Sequence, residues 1–219
     1  MPRKTIQPHR SRTRRQSSVS WLRRHLNDPY TQRARDEGYR ARSVFKLQEI
    51  DRRFKLFRPS MHVVDLGAAP GSWSQYAGAL NCKVVAVDLE TIDPIGQSVS
   101  LLRGDFLNSA IQNEVTALME FKIDLILSDM AASSTGQRAV DRLRAEALGE
   151  AVLEFAEQHL RVGGDLLVKL LKGSEAPVMA QAKSLFGSAR LIKPDATRSE
   201  SSEIYLLARD RRPKAEIEA

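Results

Sequence analysis

VVDLGAAPGSWSQ, residues Val63 to Gln75, followed at Lys83 to Asp88 by KVVAVD, decides the fold of this 219-residue chain. An apolar run passes through Asp65, a loop of Gly, Ala and Pro extends from Gly67 to Gly71, and a second β-branched run stops at Asp88. Small residues directly after a strand let the backbone approach a ligand that bulkier side chains would exclude, and an acidic residue closing the next strand suits the hydroxyls of a ribose. The pattern predicts a strand, loop, helix and strand around a nucleotide-type cofactor site. The loop is not the dinucleotide fingerprint, because no Gly-x-Gly lies between Gly67 and Gly71, and the chain has no Gly-Lys-Ser/Thr phosphate loop. Asp65, just ahead of the glycines, is expected to repel a pyrophosphate. A cationic cofactor carrying adenosine, S-adenosylmethionine, satisfies both constraints better than NAD or ATP.

Working outward, short runs rich in Val, Ile and Leu predict strands at 61–67, 83–88, 99–103, 123–128 and 164–170, with helical stretches between them. The clearest helix is expected over 138–160, with Val140, Leu143, Leu148, Val152, Phe155 and His159 near one stripe and Gly163-Gly164 as its stop. Such alternation implies an α/β fold, a parallel sheet with helices on both faces. Ser188 to Lys193 and Glu203 to Ala208 have no room between them for a crossover helix. They predict an antiparallel hairpin that completes a mostly parallel seven-stranded sheet. In open sheets of this build the ligand sits beyond the carboxyl ends of the strands, where Asp65, Gly67, Asp88, Asp105, Asp129 and Lys169 all fall. Singly, each aspartate could be a cap or turn former and Lys169 could reach solvent. Together they share one edge of one sheet. Lys46, among Val44, Phe45 and Leu47 on a basic helix, either snorkels or points into a cleft.

Residues 1–58 carry 17 Lys/Arg against 5 Asp/Glu, whereas the remaining 161 carry 17 against 22. The basic N-terminal third suits a phosphate backbone, with Arg23, Arg24, Arg40 and Arg42 as candidate contacts. Residues 1–18 are expected to form a basic, disordered leader, whose Pro2, Pro8 and few apolar residues give it little of the amphipathic face of a mitochondrial transit peptide. A single domain is expected over 19–209, with basic helices over 20–53, the sheet starting at about 61, and a charged tail over 210–219. No apolar run approaches the roughly 20 residues that span a bilayer, and the 42% hydrophobic content suits a real core. A lone Cys82 excludes an internal disulfide, and four scattered histidines suggest no metal site. The expectation is a cytoplasmic, metal-free monomer without a membrane or an evident protein partner.

The segments GYRARSVFKLQEI, VVDLGAAPGSWSQY, VVAVDLETIDPI, LLRGDF, LSDMA, GGDLLVKLLKG and KPDATRSESSEIYLLA resemble, in order, the FtsJ/RrmJ (RlmE) family of S-adenosylmethionine-dependent ribose 2′-O-methyltransferases. The likeness runs from about Trp21 to Ala208. It implies a Rossmann-like methyltransferase fold and a Lys-Asp-Lys-Glu catalytic tetrad at Lys46, Asp129, Lys169 and Glu203. It also implies cofactor contacts at Gly71 and Trp73, at Asp88 for the ribose hydroxyls, at Asp105 by the adenine and at Asp129 by the methionine end. The implied reaction is methylation of a uridine ribose in large-subunit ribosomal RNA, contributing to ribosome assembly. Three departures stand out: Ser72 in place of a repeated glycine, Ala132-Ser133 after DMA in place of Pro-Asn, and Leu170-Leu171-Lys172 after the second lysine. A transfer RNA, messenger cap or mitochondrial ribosomal RNA target would keep the reaction, and a non-catalytic RNA-binding assembly factor would keep only the fold. The complete tetrad argues against the last, and a nicotinamide dehydrogenase lacks its glycine spacing. The base chosen for the 2′-hydroxyl is Lys169.

Overall fold

A computed structural model describes residues 28–120 and 123–213. The leader, the helical segment around Trp21, Arg23 and Arg24, and the last six residues lie outside the described residues. The first element, α1 (Pro29–Asp36), starts with a proline whose missing N–H costs nothing at a helix N-terminus, behind Asp28, whose carboxylate accepts from the N–H groups of Tyr30 and Thr31. Next, α2 (Val44–Phe54) buries Val44, Phe45, Lys46, Leu47 and Ile50 along one side. It ends at Lys55 in the left-handed conformation, and the Asp51 carboxylate takes the N–H groups of Leu56 and Phe57 that follow.

Seven strands form one sheet: β1 (His62–Leu66), β2 (Lys83–Asp88), β3 (Val99–Arg103), β4 (Ile123–Ser128), β5 (Leu160–Leu171), β6 (Phe186–Ile192) and β7 (Glu203–Arg211), in the order β3-β2-β1-β4-β5-β7-β6. Pairings are parallel from β3 through β5 and antiparallel for β5–β7 and β6–β7. The crossovers are α3 (Ser72–Ala79), α4 (Ser109–Leu118), α5 (Arg138–His159) and α6 (Glu175–Leu185). Side chains alternate across a strand, so two cores form. Val63, Val84, Ala86, Leu125, Leu127 and Tyr205 pack with residues of α2 and α3, while Val64, Val85, Ile126, Leu166 and Leu206 pack with residues of α4, α5 and α6. With both faces covered, the central strands are nearly unbroken apolar runs.

Three expectations change. Helix α5 ends at His159 and the chain enters β5 at once, so Gly163-Gly164 lie inside the strand rather than terminating the helix. There the register jumps, with Ile123 opposite Leu160 but Leu125 opposite Asp165, and Gly163 at φ +75° allows the extra residues to bulge out. Leu143 is 64% exposed, because burial along α5 begins only at Gly149. Strand β7 runs on to Arg211, two residues into the expected tail. Among the described residues no helix is long and apolar enough to cross a membrane.

Candidate active site

The antiparallel register of β5 and β7 puts Lys169 opposite Tyr205 and Leu171 opposite Glu203, while Asp129 follows β4 immediately and extends its ladder by donating its N–H to the Leu66 carbonyl. Lys46 arrives from α2, which is tied to the Gly/Pro loop by the Trp73 indole N–H donating to the Ser43 carbonyl at 2.9 Å and by Ser43 Oγ meeting Ser72 Oγ at 2.9 Å. All four tetrad positions converge. Lys46 Nζ lies 2.6 Å from Glu203 Oε2, Lys169 Nζ lies 3.0 Å from Asp129 Oδ1, and Lys169 also donates to the Asp129 carbonyl. Lys46 thus points into the cleft, its side chain only 10% exposed. Burial pushes the Glu203 carboxyl up, but the charge and hydrogen bond of Lys46 outweigh it and hold the group below the usual carboxylate range.

Sequence reasoning missed the residue that joins the two pairs. The Tyr205 hydroxyl donates to Asp129 Oδ1 at 2.9 Å and accepts from Lys46 Nζ at 3.4 Å. Burial, with Asp129 and Glu203 nearby, raises its pKa well above the ordinary phenol value, so it stays a neutral donor. The signal was present: Tyr205 is two residues beyond Glu203 on a strand and shares its face.

A cavity of about 490 Å³ opens beyond the ends of β1, β2 and β4, within the range of pockets that enclose a cofactor-sized molecule. Gly67, Val87, Phe106 and Met130 contribute its small and apolar walls; Asp88, Glu90, Asp105 and Asp129 are its charged residues, and among the described residues no Lys or Arg lines it. Those carboxylates suit a cationic, hydroxyl-bearing ligand and disfavour a phosphate. Asp88 also holds the loop, its carboxylate accepting from the N–H groups of Ala69 and Glu90, each at 2.9 Å. Gly67 has φ +73°, and a Cβ there would come within 2.7 Å of the Met130 backbone.

Gly71 and Trp73 stand apart from this lining. Gly71, at φ +103°, faces Ile92, Ile95 and Arg40, and Trp73 is buried with its ring centroid 5.9 Å from that of Tyr205. Asp65 does not face a ligand's phosphates from the loop. It is fully buried, accepts from Ser74 Oγ at 2.6 Å through Oδ2, and leaves Oδ1 without a hydrogen-bond partner among the described residues. Burial pushes its pKa up to about 7.

Two candidate phosphate contacts are also otherwise engaged. Arg40 donates to the carbonyls of Pro70, Asp93 and Pro94, clamping the cofactor loop, and Arg42 pairs with Asp28 and the Ala196 carbonyl. A second cavity, of about 380 Å³, lies on the Lys46 and Glu203 side of the tetrad, lined by Arg42 and by Arg198 of the β6–β7 loop. Among the described residues no cluster of His, Cys, Asp and Glu is arranged to hold a metal ion.

The sequence is 41% identical over 214 residues to the ribosomal RNA large subunit methyltransferase E of Rickettsia akari, covering 94% of each chain. It is 43% identical over 204 residues to the protein of the same name from Chromobacterium violaceum, covering 91% of this chain and 99% of that one. Among solved structures, a protein described as a ribosomal RNA methyltransferase of Plasmodium falciparum superposes with a TM-score of 0.72 at 26% identity, over 80% of this chain and all of that one. The FtsJ-like methyltransferase family model matches residues 39–211, from the turn ahead of α2 to the end of β7 and so across every strand of the sheet and every tetrad position; the chain belongs to that family and is a methyltransferase.

Proposed function

We propose that this chain transfers a methyl group from S-adenosylmethionine to the 2′-oxygen of a uridine ribose in large-subunit ribosomal RNA, in the cytoplasm of a bacterium and as a step of ribosome assembly. The observation that carries the reading is the junction of two unlike sites at Asp129. On one side lies the acidic cavity, and on the other the two lysines and Glu203. The names of the bacterial relatives support the target.

S-adenosylmethionine, when bound, supplies an electrophilic methyl on a sulfonium that departs as a neutral thioether, and its positive charge suits the carboxylates of the cavity. Asp88 would hold the ribose hydroxyls, Asp105 would serve the adenine and Asp129 the methionine end. A ribose 2′-hydroxyl is a poor nucleophile. Lys169 is the base that takes its proton onto Nζ as the oxygen attacks, a contribution of roughly 10² to 10⁴ in rate. Asp129 holds that amine from one side, and Tyr205 fixes Asp129. Lys46, paired with Glu203, lies across the Tyr205 hydroxyl from the Lys169–Asp129 pair and lines the cleft beside the reacting hydroxyl. Holding hydroxyl and methyl in line contributes alongside the base.

The test is ribose-methylation mapping on large subunits from cells lacking the gene, before and after incubation with the purified protein and S-adenosylmethionine. One new 2′-O-methyl uridine is expected. Transfer to a base, transfer to transfer RNA alone, or no transfer would overturn the reading.

A further inference from the structure

A third cavity, of about 240 Å³, adjoins the tetrad on the side away from the two arginines, and Lys169 lines it. Its walls come from Met130 and Ala132 after β4, Ala145 and Leu148 of α5, Leu171 at the end of β5 and Ser202 ahead of β7. It shares Met130, Ala132 and Leu148 with the cofactor cavity, so the two meet beside Asp129 and Lys169. We propose that this cavity seats the nucleobase of the nucleotide being methylated. The proposal rests on the ribose-methylating reading above.

Size, polarity and position agree on that occupant. A cavity of 240 Å³ falls below the roughly 300–1,000 Å³ of pockets that enclose drug-sized ligands, as a single heterocycle requires. Its walls are mainly aliphatic, with the polar groups of Ser134, Ser202, Asp141 and Lys169 among them, and an aliphatic wall beside a carboxylate suits a flat base and not a phosphate. The cavity meets the cofactor cavity beside Asp129, and Lys169 stands in its wall, so a ribose held at Lys169 would have its base within reach of this space.

The rim is fixed in advance. Asp141 accepts from Thr135 N–H and Oγ1, both at 2.8 Å, and from Ser134 Oγ at 2.9 Å, and these hydrogen bonds hold its carboxyl below the usual range. Arg144 donates to the Ser133 carbonyl at 3.2 Å. Within the Ala132-Ser133 stretch, a departure in the sequence, Ala132 thus lines the cavity and Ser133 is tied to α5.

Ala145→Leu fills the cavity from the helix with a residue that helices accept nearly as well as alanine. Ser202→Leu fills it from the opposite wall and keeps the backbone carbonyl that accepts from Lys172 N–H, so the test survives if one variant misfolds. Transfer is measured on subunits reconstituted around ligated large-subunit RNA carrying either uridine or an abasic ribose at the methylated position, with donor affinity followed by calorimetry. Both fillings should lower kcat/KM on the uridine substrate by at least about tenfold, the scale of one extra methylene in a tight pocket. Donor affinity should be unchanged, and on the abasic substrate the variants should match the unsubstituted protein. An equal loss on both substrates, undiminished transfer to uridine, or a parallel loss of donor affinity would overturn the proposal. Failure of the unsubstituted protein on both substrates would instead bring down the ribose-methylating reading, and this one with it.

Discussion

Tyr205 donates its hydroxyl hydrogen to Asp129 Oδ1 across 2.9 Å, and the same carboxylate oxygen lies 3.0 Å from Lys169 Nζ. A buried phenol thus sets the position of the group that sets the position of the proposed base. Tyr205→Phe keeps the ring, and with it the packing on Trp73, but removes a hydrogen bond to a charged acceptor, worth roughly 1.5–3 kcal/mol. Single-turnover methyl transfer should slow by about ten- to a hundredfold while donor affinity stays within about twofold. An unchanged rate would mean that Lys169 alone orients Asp129.

Lys169 is tested by two substitutions. Lys169→Ala should retain donor and RNA binding yet lose transfer by at least about a hundredfold, the lower end of general-base contributions. Lys169→Arg should fail as well, because arginine keeps the charge but cannot accept a proton at working pH. Near-normal single-turnover rates for the arginine variant would leave Lys169 a positioning role and require another acceptor for the proton.

Asp65 makes stability depend on pH. Its folded-state pKa of about 7 stands above the unfolded value near 3.8, so the native state binds the proton more tightly. The stability it contributes is complete below pH 4, falls as pH rises toward 7 and levels off beyond, at about 1.4 kcal/mol per unit at most. Asp65→Asn preserves the shape and the acceptor for Ser74 but cannot ionise. Urea midpoints of the variant should change less than those of the unsubstituted protein between pH 5 and pH 8; parallel curves would show that the carboxyl is ionised throughout.

The strand pattern was legible because both faces of the sheet are buried, so each strand is a short apolar run with polar ends. Asp129 and Lys169 were legible at strand ends and Lys46 on a basic helix, whereas Glu203 entered only through the family resemblance. What sequence could not show is where a side chain spends its hydrogen bonds. Arg40, which looks like a phosphate contact, is consumed by three loop carbonyls, and Arg42 by Asp28, fourteen residues earlier. Trp73 packs on Tyr205, more than a hundred residues away in the chain. The glycines at 163–164 look like a helix stop because a register jump in a sheet leaves no local signature.

Beside the cofactor contact proposed for it, Asp88 has a structural part: it accepts the Ala69 and Glu90 N–H groups that shape the cavity. Asp88→Ala should therefore weaken donor binding and also lower the melting temperature measured without donor. A loss of affinity with the melting temperature unchanged would mean that the loop holds its shape without the carboxylate.

Lys46 and Glu203 form a largely buried ion pair, joined at 2.6 Å across 157 residues of sequence. Breaking a buried pair leaves a charge without compensation and costs about 3–5 kcal/mol; Glu203, with its side chain 30% exposed, should fall at or below the low end. Lys46→Met leaves the carboxylate partly reachable by water, whereas Glu203→Gln leaves the ammonium against Tyr205, its side chain only 10% exposed. Glu203→Gln should therefore be the more destabilising. The double variant should be more stable than the two separate losses predict, because each loss includes the desolvated partner. The pair also carries an acid signature: Glu203 is held below its usual range, so its stabilisation is in place above the ordinary glutamate pKa and fades as pH falls through the folded value. Lys46→Met should remove that acid sensitivity. Denaturant titrations of the four proteins at pH 7 and pH 4 give both the coupling and its pH dependence, and additive losses with equal acid sensitivity would show that the two side chains act independently.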